Sequence, residues 1–275
     1  MEFTKSPDEA GIILFGAAVD QGTENPGCSD APSKVRQHFD DFYFSETAGN
    51  NKVFDRADIV ESETFEKTID SIFRKTVEFL KHNKKIICIG GNHSITLPIV
   101  EALTRFHERI GIIHVDAHPD CQIDYFPYGD VMGAVSQLPE VKKIAMLGLR
   151  NWSKYEYDFI SNNPKIKAIP MKNITHQKMC VIAEEIEHHL ENCDVIYVTF
   201  DIDAIDPSAA PGTGCIEPGG LTAREAIEFI QHIAKNEKVV GMDLVEINPN
   251  KDISDMTSVL GAKLIFEFAD ALVIK

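Results

Sequence analysis

The sequence predicts an α/β protein with three layers, α/β/α, around a mostly parallel central sheet. Short, almost continuously apolar segments alternate along the chain with longer segments of helical, amphipathic periodicity. Parallel strands covered by helices on both faces lack the apolar–polar alternation of a half-exposed sheet, because neither face meets water. No repeat, low-complexity tract or linker divides the chain, so residues 1–275 are predicted to form a single domain.

Each predicted element follows from a local pattern. The six predicted strands are short apolar runs with polar flanks, at 11–15, 85–89, 110–115, 143–149, 195–200 and 239–244. The four predicted helices lie at 65–82, 97–107, 178–190 and 222–234. The last helix begins with Thr222 as its N-cap and Glu225 three residues later, which is the pattern of a capping box. Residues 25–34 and 40–55 are predicted to be long surface loops.

Composition limits the partners and the compartment. A net charge of −16 argues against nucleic acid or an anionic membrane as a partner. The longest apolar runs are too short for a transmembrane helix, and the segment MEFTKSPDEA lacks the features of a secretory signal. The six cysteines form no CxxC pair and no recognisable disulfide framework, which suits a reducing compartment. We therefore expect a soluble, cytoplasmic protein.

Residues that could bind a ligand or take part in catalysis are concentrated where four predicted strands end. These segments are 90–93, 116–120, 201–206 and 243–246. Open α/β sheets bind ligands in the crevice at the carboxyl edge of their strands. The four segments are therefore predicted to form one site.

Two of these segments place metal-type ligands two residues apart. HVDAHPD contains Asp116, His118 and Asp120, and TFDIDAIDP contains Asp201 and Asp203. Side chains two apart in an extended segment point to the same side. Carboxylates gathered in this way repel one another unless a cation neutralises them. The spacing therefore predicts a metal site.

His93 in GGNHS completes a set of six candidate ligands. Six ligands are too many for one tetrahedral ion, but they are enough for two ions that share carboxylates. A set of four carboxylates and two imidazoles without a thiolate suits Mn²⁺, or a similar ion, better than structural zinc. Two Mn²⁺ ions per chain are therefore predicted.

Neighbouring residues have structural explanations. His114 lies further back inside its strand and is predicted to be buried and hydrogen-bonded rather than a seventh ligand. Asp206, which precedes a proline, is assigned to a turn. Cys121 and Cys215 lack a partner base, so neither is predicted to be a nucleophile. Glu246 is either a turn carboxylate or an anchor for a cationic substrate group.

Taken together, the motifs resemble the ureohydrolases, the family of arginase, agmatinase and formimidoylglutamase. The resemblance rests on ENPGCSDAPSKVR, GGNHS, HVDAHPD, TFDIDAIDPSAAPGTG and GMDLVEINP, which follow in this order over most of the chain. It implies an arginase-like fold, a binuclear manganese centre and a homo-oligomer, usually a trimer or a hexamer.

The resemblance also implies two overlapping ligand sets. The ligands of one ion would be His93, Asp116, Asp120 and Asp201. The ligands of the other would be Asp116, His118, Asp201 and Asp203, so that Asp116 and Asp201 bridge the ions. Glu246 falls where the family pairs a carboxylate with the amidinium or guanidinium of its substrate.

The leading hypothesis is hydrolysis of a C–N bond in a linear amidine or guanidine, with a water activated between two ions. Glu246 would hold the cationic substrate, and Asp120 could pass a proton to the departing amine. Formimidoylglutamate is the first choice of substrate, closely followed by agmatine or another guanidino compound. The alternatives are an inactive, metal-binding oligomeric scaffold and a zinc deacylase, which metal content would distinguish.

The segment after Asp120 departs from the arginase pattern. Arginases and agmatinases have a longer loop ending in His-Gly, whereas this chain has CQIDYFPYG, with Tyr128 before the glycine. LGLRNWS and DISDMTS resemble formimidoylglutamases more closely, although that branch can carry an Arg at the position of Gln122. Gln122 and Tyr128 are predicted to contact substrate, and arginase activity is expected to be feeble. Arg150 is the candidate partner for a substrate carboxylate, with a structural ion pair as the alternative.

Overall fold

Ten parallel strands form the central sheet of the computed structural model, which describes residues 1–23, 25–122, 130–174 and 177–274. The strands within these ranges are β1 (Glu2–Phe3), β2 (Ile12–Ala18), β3 (Lys52–Asp55), β4 (Ile59–Val60), β5 (Lys85–Gly90), β6 (Ile110–Val115), β7 (Val141–Leu147), β8 (Ile166–Ile169), β9 (Val195–Asp201) and β10 (Val239–Val245). Their order across the sheet is β1-β3-β2-β5-β10-β9-β6-β7-β8, and β4 pairs with β2.

Helices cover both faces of this sheet. In the described ranges they are α1 (Ala31–Arg36), α2 (Phe65–Leu80), α3 (Thr96–Leu103), α4 (Val131–Gln137), α5 (Lys154–Asn162), α6 (Met171–Ile174), α7 (Met179–His189), α8 (Ala223–Ala234) and α9 (Met256–Ala271). Apolar residues of α1, α7, α8 and α9 pack on one face, and those of α2, α3, α4 and α5 pack on the other. The predicted three-layer α/β/α architecture is confirmed.

The strand β6 shows why the central strands are apolar throughout. Ile113 and Val115 point into one hydrophobic core, and Ile110 and Ile112 point into the other. All four side chains are fully buried. Burying both faces of a strand removes the period-two polarity that a half-exposed strand would show.

All six predicted strands are present, and their ends lie within three residues of the predicted ends. Three of the predicted helices, α2, α3 and α7, end at residues 80, 103 and 189, whereas their predicted ends were 82, 107 and 190. The capping box is also confirmed, because Thr222 Oγ1 accepts the Glu225 amide at 3.2 Å and the Glu225 carboxylate accepts the Thr222 amide at 2.8 Å.

Two loop predictions were wrong in part. The segment 25–34 contains a short 3₁₀ turn and the start of α1, and 40–55 ends in β3. The six-residue α1 buries Ala31 and Val35 against the core, so tertiary packing stabilises a helix too short to be evident from periodicity. The helix α9 was not predicted, because apolar side chains surround most of its circumference and leave little amphipathic signal.

The strand order places the candidate site. The strands β5, β10, β9 and β6 are consecutive neighbours, and each precedes one of the four segments with candidate functional residues. Because all these strands run parallel, their carboxyl ends meet at one edge. None of the helices in the described ranges combines the length and apolar character that a bilayer span requires.

Candidate metal centre

The loop after β5 carries His93 to the centre of the site. The Gly91 amide donates to the Ala17 carbonyl at 2.7 Å, and the Asn92 amide donates to the Val19 carbonyl at 2.9 Å. A β-carbon at Gly91 would clash with the Val19 backbone, so this crossing requires glycine. Asn92 then caps the 3₁₀ turn that begins at His93.

Three carboxylates converge on one ring nitrogen of His93. The Nδ1 atom lies 3.2 Å from Asp116 Oδ2, 3.1 Å from Asp120 Oδ2 and 3.3 Å from Asp201 Oδ2. Although it is buried, Nδ1 forms no hydrogen bond of acceptable geometry to any of them. The ligand atoms of His93, Asp116 and Asp120 lie close enough to one another to hold a metal ion, and Asp201 Oδ2 adjoins His93.

His118 forms a second cluster beside the first. Its Nδ1 atom lies 3.0 Å from Asp203 Oδ2 and 3.5 Å from Asp116 Oδ1. The two oxygens of Asp116 therefore face different histidines, as expected for a carboxylate that bridges two ions. All six candidate ligands are brought together at one edge of the sheet.

Backbone amides orient the carboxylates. Asp116 Oδ1 accepts the His118 amide at 2.6 Å, Asp203 Oδ1 accepts the Ala117 amide at 3.1 Å, and Asp201 Oδ1 accepts the Asp203 amide at 2.8 Å. The bond between Ala117 and Asp203 joins the loops after β6 and β9, and the other two lie within one loop each. The three bonds fix one oxygen of each carboxylate, while the Oδ2 atoms of Asp116 and Asp201 face His93 and that of Asp203 faces His118.

His114 lies inside β6 and is fully buried. Its Nε2 atom is 3.0 Å from Asp116 Oδ2. This contact agrees with the predicted role as a buried, hydrogen-bonded residue. His114 also lies close enough to His93, Asp116 and Asp120 for a ring nitrogen to be a possible ligand atom.

Burial makes the carboxylate cluster electrostatically costly. Desolvation, and then the neighbouring charges of Asp203 and Asp116, raises the pKa of Asp201 well above its usual range. Desolvation and the Asp116 charge raise the pKa of Asp203 to about 6. A bound dication would remove this cost, because it favours the ionised form of every carboxylate around it.

The pKa values of His93 and His118 are also raised, but by a different cause. Burial lowers the pKa of His93 and His118, but the carboxylates that face their rings outweigh burial and raise both pKa values well above the usual range. Protons on these rings thus neutralise part of the cluster. Metal ions would replace those protons, because a ligand nitrogen must be deprotonated.

Glu246 follows β10 and contacts the His93 loop directly. Its Oε1 atom accepts the His93 amide at 2.7 Å, and its own amide donates to the Gly91 carbonyl at 2.9 Å. The Cys28 thiol donates to Oε2 at 3.6 Å. Burial is the main cause that raises the pKa of Glu246 to about 7. The carboxylate thus lies beside the cluster, held by two donors.

Asp120 and Glu246 both adopt positive φ, at 50° and 62°. Left-handed backbone is unfavourable for residues other than glycine, and such conformations occur often at functional sites. At Asp120 the backbone carbonyl accepts the amides of Met132 and Gly133 at the start of α4, at 2.9 and 3.0 Å. The loop after β6 is thereby anchored while the Asp120 side chain faces the cluster.

Sequence patterns did not identify three groups that contact the site. Cys28 approaches Glu246, Thr199 Oγ1 lies 2.9 Å from His93 Nε2, and Glu217 Oε1 lies 3.4 Å from His118 Nε2. Cys28 was visible in the sequence within ENPGCSDAPSKVR. The contacts of Thr199 and Glu217 join residues about 100 positions apart in the chain, and no local spacing indicates them.

Comparison with known proteins agrees with this geometry. The sequence model of the arginase family matches residues 10–270. This chain belongs to the arginase family. Its members are hydrolases that act on C–N bonds of guanidino compounds and typically depend on a binuclear metal centre. The family resemblance predicted from the motifs is confirmed.

Relatives with different names are about equally similar to this member of the family. An agmatinase from Bacillus anthracis is 30% identical over 94% of this chain and 91% of the relative. A formimidoylglutamase from Halalkalibacterium halodurans is 29% identical over 96% and 88%. The solved formimidoylglutamase from Bacillus subtilis covers 98% of this chain and 89% of its own, with a TM-score of 0.90 at 24% identity, and shows the same fold.

Among the described residues, Arg150 does not form the ion pair that was one prediction for it. Its guanidinium donates five hydrogen bonds to backbone carbonyls: one each to Gly148, Asp203 and Ala204 and two to Glu217, at 2.6–3.3 Å. Arginine has five N–H donors, so all of them are used. Arg150 therefore braces the loops of this arginase-family site and presents no free donor to a substrate.

The remaining candidate residues are two predicted substrate contacts and two cysteines. Gln122 is exposed just after Asp120, and Tyr128 lies outside the described residues. The Cys121 thiol donates to the Pro119 carbonyl at 3.1 Å, and burial raises its pKa. Desolvation raises the pKa of the Cys215 thiol to about 11. Both thiols are thus held in the protonated form, in agreement with the prediction that neither is a nucleophile.

Asp201→Asn tests whether repulsion between the buried carboxylates destabilises the metal-free protein and whether Asp201 helps to bind Mn²⁺. The amide oxygen can still accept the Asp203 amide, while one of the repelling charges is removed. In chelator we expect a melting temperature equal to or above that of the wild type. Mn²⁺ should raise the melting temperature of the wild type but not that of the variant.

Differential scanning fluorimetry with and without Mn²⁺ measures both effects. The matched control is Asp194→Asn, which changes an exposed carboxylate before the other end of β9. If Mn²⁺ raised the melting temperature of Asp201→Asn as much as that of the wild type, Asp201 would not be a metal ligand.

Proposed function

We propose that the protein is a binuclear, Mn²⁺-dependent hydrolase that cleaves a C–N bond of a linear guanidine or amidine. The observation that carries the proposal is the convergence of three carboxylate oxygens within 3.1–3.3 Å of the buried His93 Nδ1 atom, beside Glu246. This combines a metal-type cluster with a carboxylate that can pair with a cationic substrate.

The donor set supports Mn²⁺ rather than zinc held by thiolates. Four carboxylates and two imidazoles make up the cluster, and the nearby thiols of Cys28 and Cys215 have raised pKa values and stay protonated. His93, Asp116, Asp120 and Asp201 would hold one ion, and Asp116, His118, Asp201 and Asp203 the other. When bound, such ions lower the pKa of a water towards neutrality and so supply a nucleophile.

Glu246 would bind the substrate. Its two oxygens are held by the His93 amide and the Cys28 thiol, so its position is set before a substrate enters. An ionised carboxylate forms charge-assisted hydrogen bonds with an amidinium or guanidinium. This pairing would place the trigonal carbon of the substrate beside the cluster. Holding the reacting groups close together and correctly oriented accelerates the reaction.

Asp120 would transfer a proton to the departing amine. Its side chain is 17% exposed, whereas those of Asp116, Asp201 and Asp203 are 5% or less. It is thus the most accessible carboxylate of the cluster. After attack on the trigonal carbon, Asp120 would carry the proton to the departing amine, which leaves as a neutral molecule when the C–N bond breaks.

We propose a cationic substrate without carboxylates, such as agmatine, in preference to formimidoylglutamate. Formimidoylglutamate carries two carboxylates, and the candidate partner Arg150 has no free donor. Lys251, on the loop after β10, donates to Asn25 Oδ1 at 2.9 Å and to the Gly214 carbonyl at 3.1 Å. The sequence of residues 122–129 contains no Lys, Arg or His. The acidic surroundings favour a cation.

Glu246→Gln tests the assignment of the substrate anchor. Gln keeps the shape of the side chain and removes its charge, so a cationic substrate loses a charge-assisted bond of roughly 1.5–3 kcal/mol. We expect kcat/KM to fall by roughly 10- to 100-fold with the Mn²⁺ content unchanged. Steady-state kinetics and metal analysis measure the two quantities.

The control for this substitution is Glu228→Gln, which alters an exposed carboxylate on α8. Wild-type kinetics in Glu246→Gln would assign Glu246 to a structural role.

A substrate panel tests the specificity. With Mn²⁺ present, we expect agmatine, which carries no carboxylate, to have a higher kcat/KM than either formimidoylglutamate or arginine. Desolvating a substrate carboxylate without a basic partner costs several kcal/mol, or orders of magnitude in kcat/KM. Assays for urea, ammonia and formamide would follow all three reactions. Formimidoylglutamate as the best substrate would overturn the proposed preference.

A further inference from the structure

The rings of His93 and His118, the two histidines of the candidate centre, are oriented in the same way relative to the carboxylates. Each directs Nδ1 to the carboxylates, and each directs Nε2 to a group outside the ligand set. For His93 that group is the hydroxyl of Thr199, and for His118 it is the carboxylate of Glu217. The outer partner of His118 is therefore a carboxylate, whereas that of His93 is a hydroxyl.

We propose that Glu217 is a positioning residue that holds His118 in its ligating tautomer and so strengthens metal binding at the second position. The inference rests on the proposed metal centre. It goes beyond that proposal because it assigns a role to a residue outside the six ligands.

The chemistry of imidazole requires such a partner. To bind a metal through Nδ1, a neutral His118 must keep its remaining proton on Nε2. Glu217 Oε1 lies 3.4 Å from Nε2 and can accept this proton's hydrogen bond. A carboxylate acceptor fixes the ring orientation and makes the ligating nitrogen a stronger donor to the metal.

Glu217 is itself held from two sides. Asn151 Nδ2 donates to Glu217 Oε1 at 2.5 Å, and Arg150 donates twice to the Glu217 backbone carbonyl, at 2.6 and 3.2 Å. The same loop is fixed where the Gly219 amide donates to Asp206 Oδ2 at 2.8 Å. Two of the five hydrogen bonds of Arg150 thus help to place the loop that carries the Glu217 carboxylate.

The two histidines differ in how much support the core gives them. The His93 side chain is 7% exposed, and its partner Thr199 continues through Thr96, at 3.1 Å, to the buried Asp243, 3.0 Å further on. The His118 side chain is 23% exposed. A more exposed ring is less restrained by packing, so we expect His118 to depend more on its direct contact with Glu217.

The test is Mn²⁺ binding by the full-length protein, measured by equilibrium dialysis with metal analysis and requiring no turnover. Glu217→Ala should weaken one of the two sites by roughly 10- to 100-fold and leave the other unchanged. Glu217→Gln should lose less, because its amide oxygen can still accept from Nε2. Asn151→Ala should weaken the same site by a smaller factor, because Glu217 then loses one of its supports.

Glu228→Gln is the control for the loss of one negative charge, and it should bind both ions as the wild type does. Melting temperatures in chelator show whether each variant folds, and Glu217→Gln and Asn151→Ala keep the test decisive if Glu217→Ala does not fold. Wild-type affinity at both sites in the folded Glu217 variants would overturn the inference. If their KM rose at the same time, Glu217 would be a substrate-binding residue instead. A wild type that failed to bind two ions would overturn the metal centre itself.

Discussion

Repulsion between buried carboxylates is the constraint on which the candidate site depends. Asp116, Asp201 and Asp203 are almost completely buried, and desolvation raises the pKa of two of them. A folded protein retains such a cluster only if some other interaction compensates for it. The facing imidazoles supply part of that compensation, and the geometry is suited to cations that would supply the rest.

The fold meets this constraint through the order of its strands. Four neighbouring parallel strands direct their carboxyl ends to one edge, and backbone amides from the loops after β6 and β9 hold one oxygen of each buried carboxylate. The apolar layers on both faces of the sheet hold the strands in place, and therefore also the loops that follow them. Glu246 approaches from the loop after β10, on the substrate side, and Glu217 approaches from a later part of the connection after β9, behind His118.

Local patterns allowed six of the ten strands and the candidate ligands to be predicted from the sequence. Runs such as 110–115 are apolar because both faces are buried, and the two-residue spacing of Asp116 and His118 follows from extended backbone. Contacts between distant segments were not predictable. The five bonds of Arg150 and the contact between Glu217 and His118 arise only when separate loops meet, and α9 lacks the periodicity that would identify it.

The central claim is that two metal ions share the carboxylates of Asp116 and Asp201. Electron paramagnetic resonance of the Mn²⁺-loaded protein tests it most directly, because ions joined by a shared carboxylate are magnetically coupled. We predict two Mn²⁺ per chain and a spectrum of an exchange-coupled pair. A single bound ion, or two ions that both give the six-line spectrum of isolated Mn²⁺, would contradict the account.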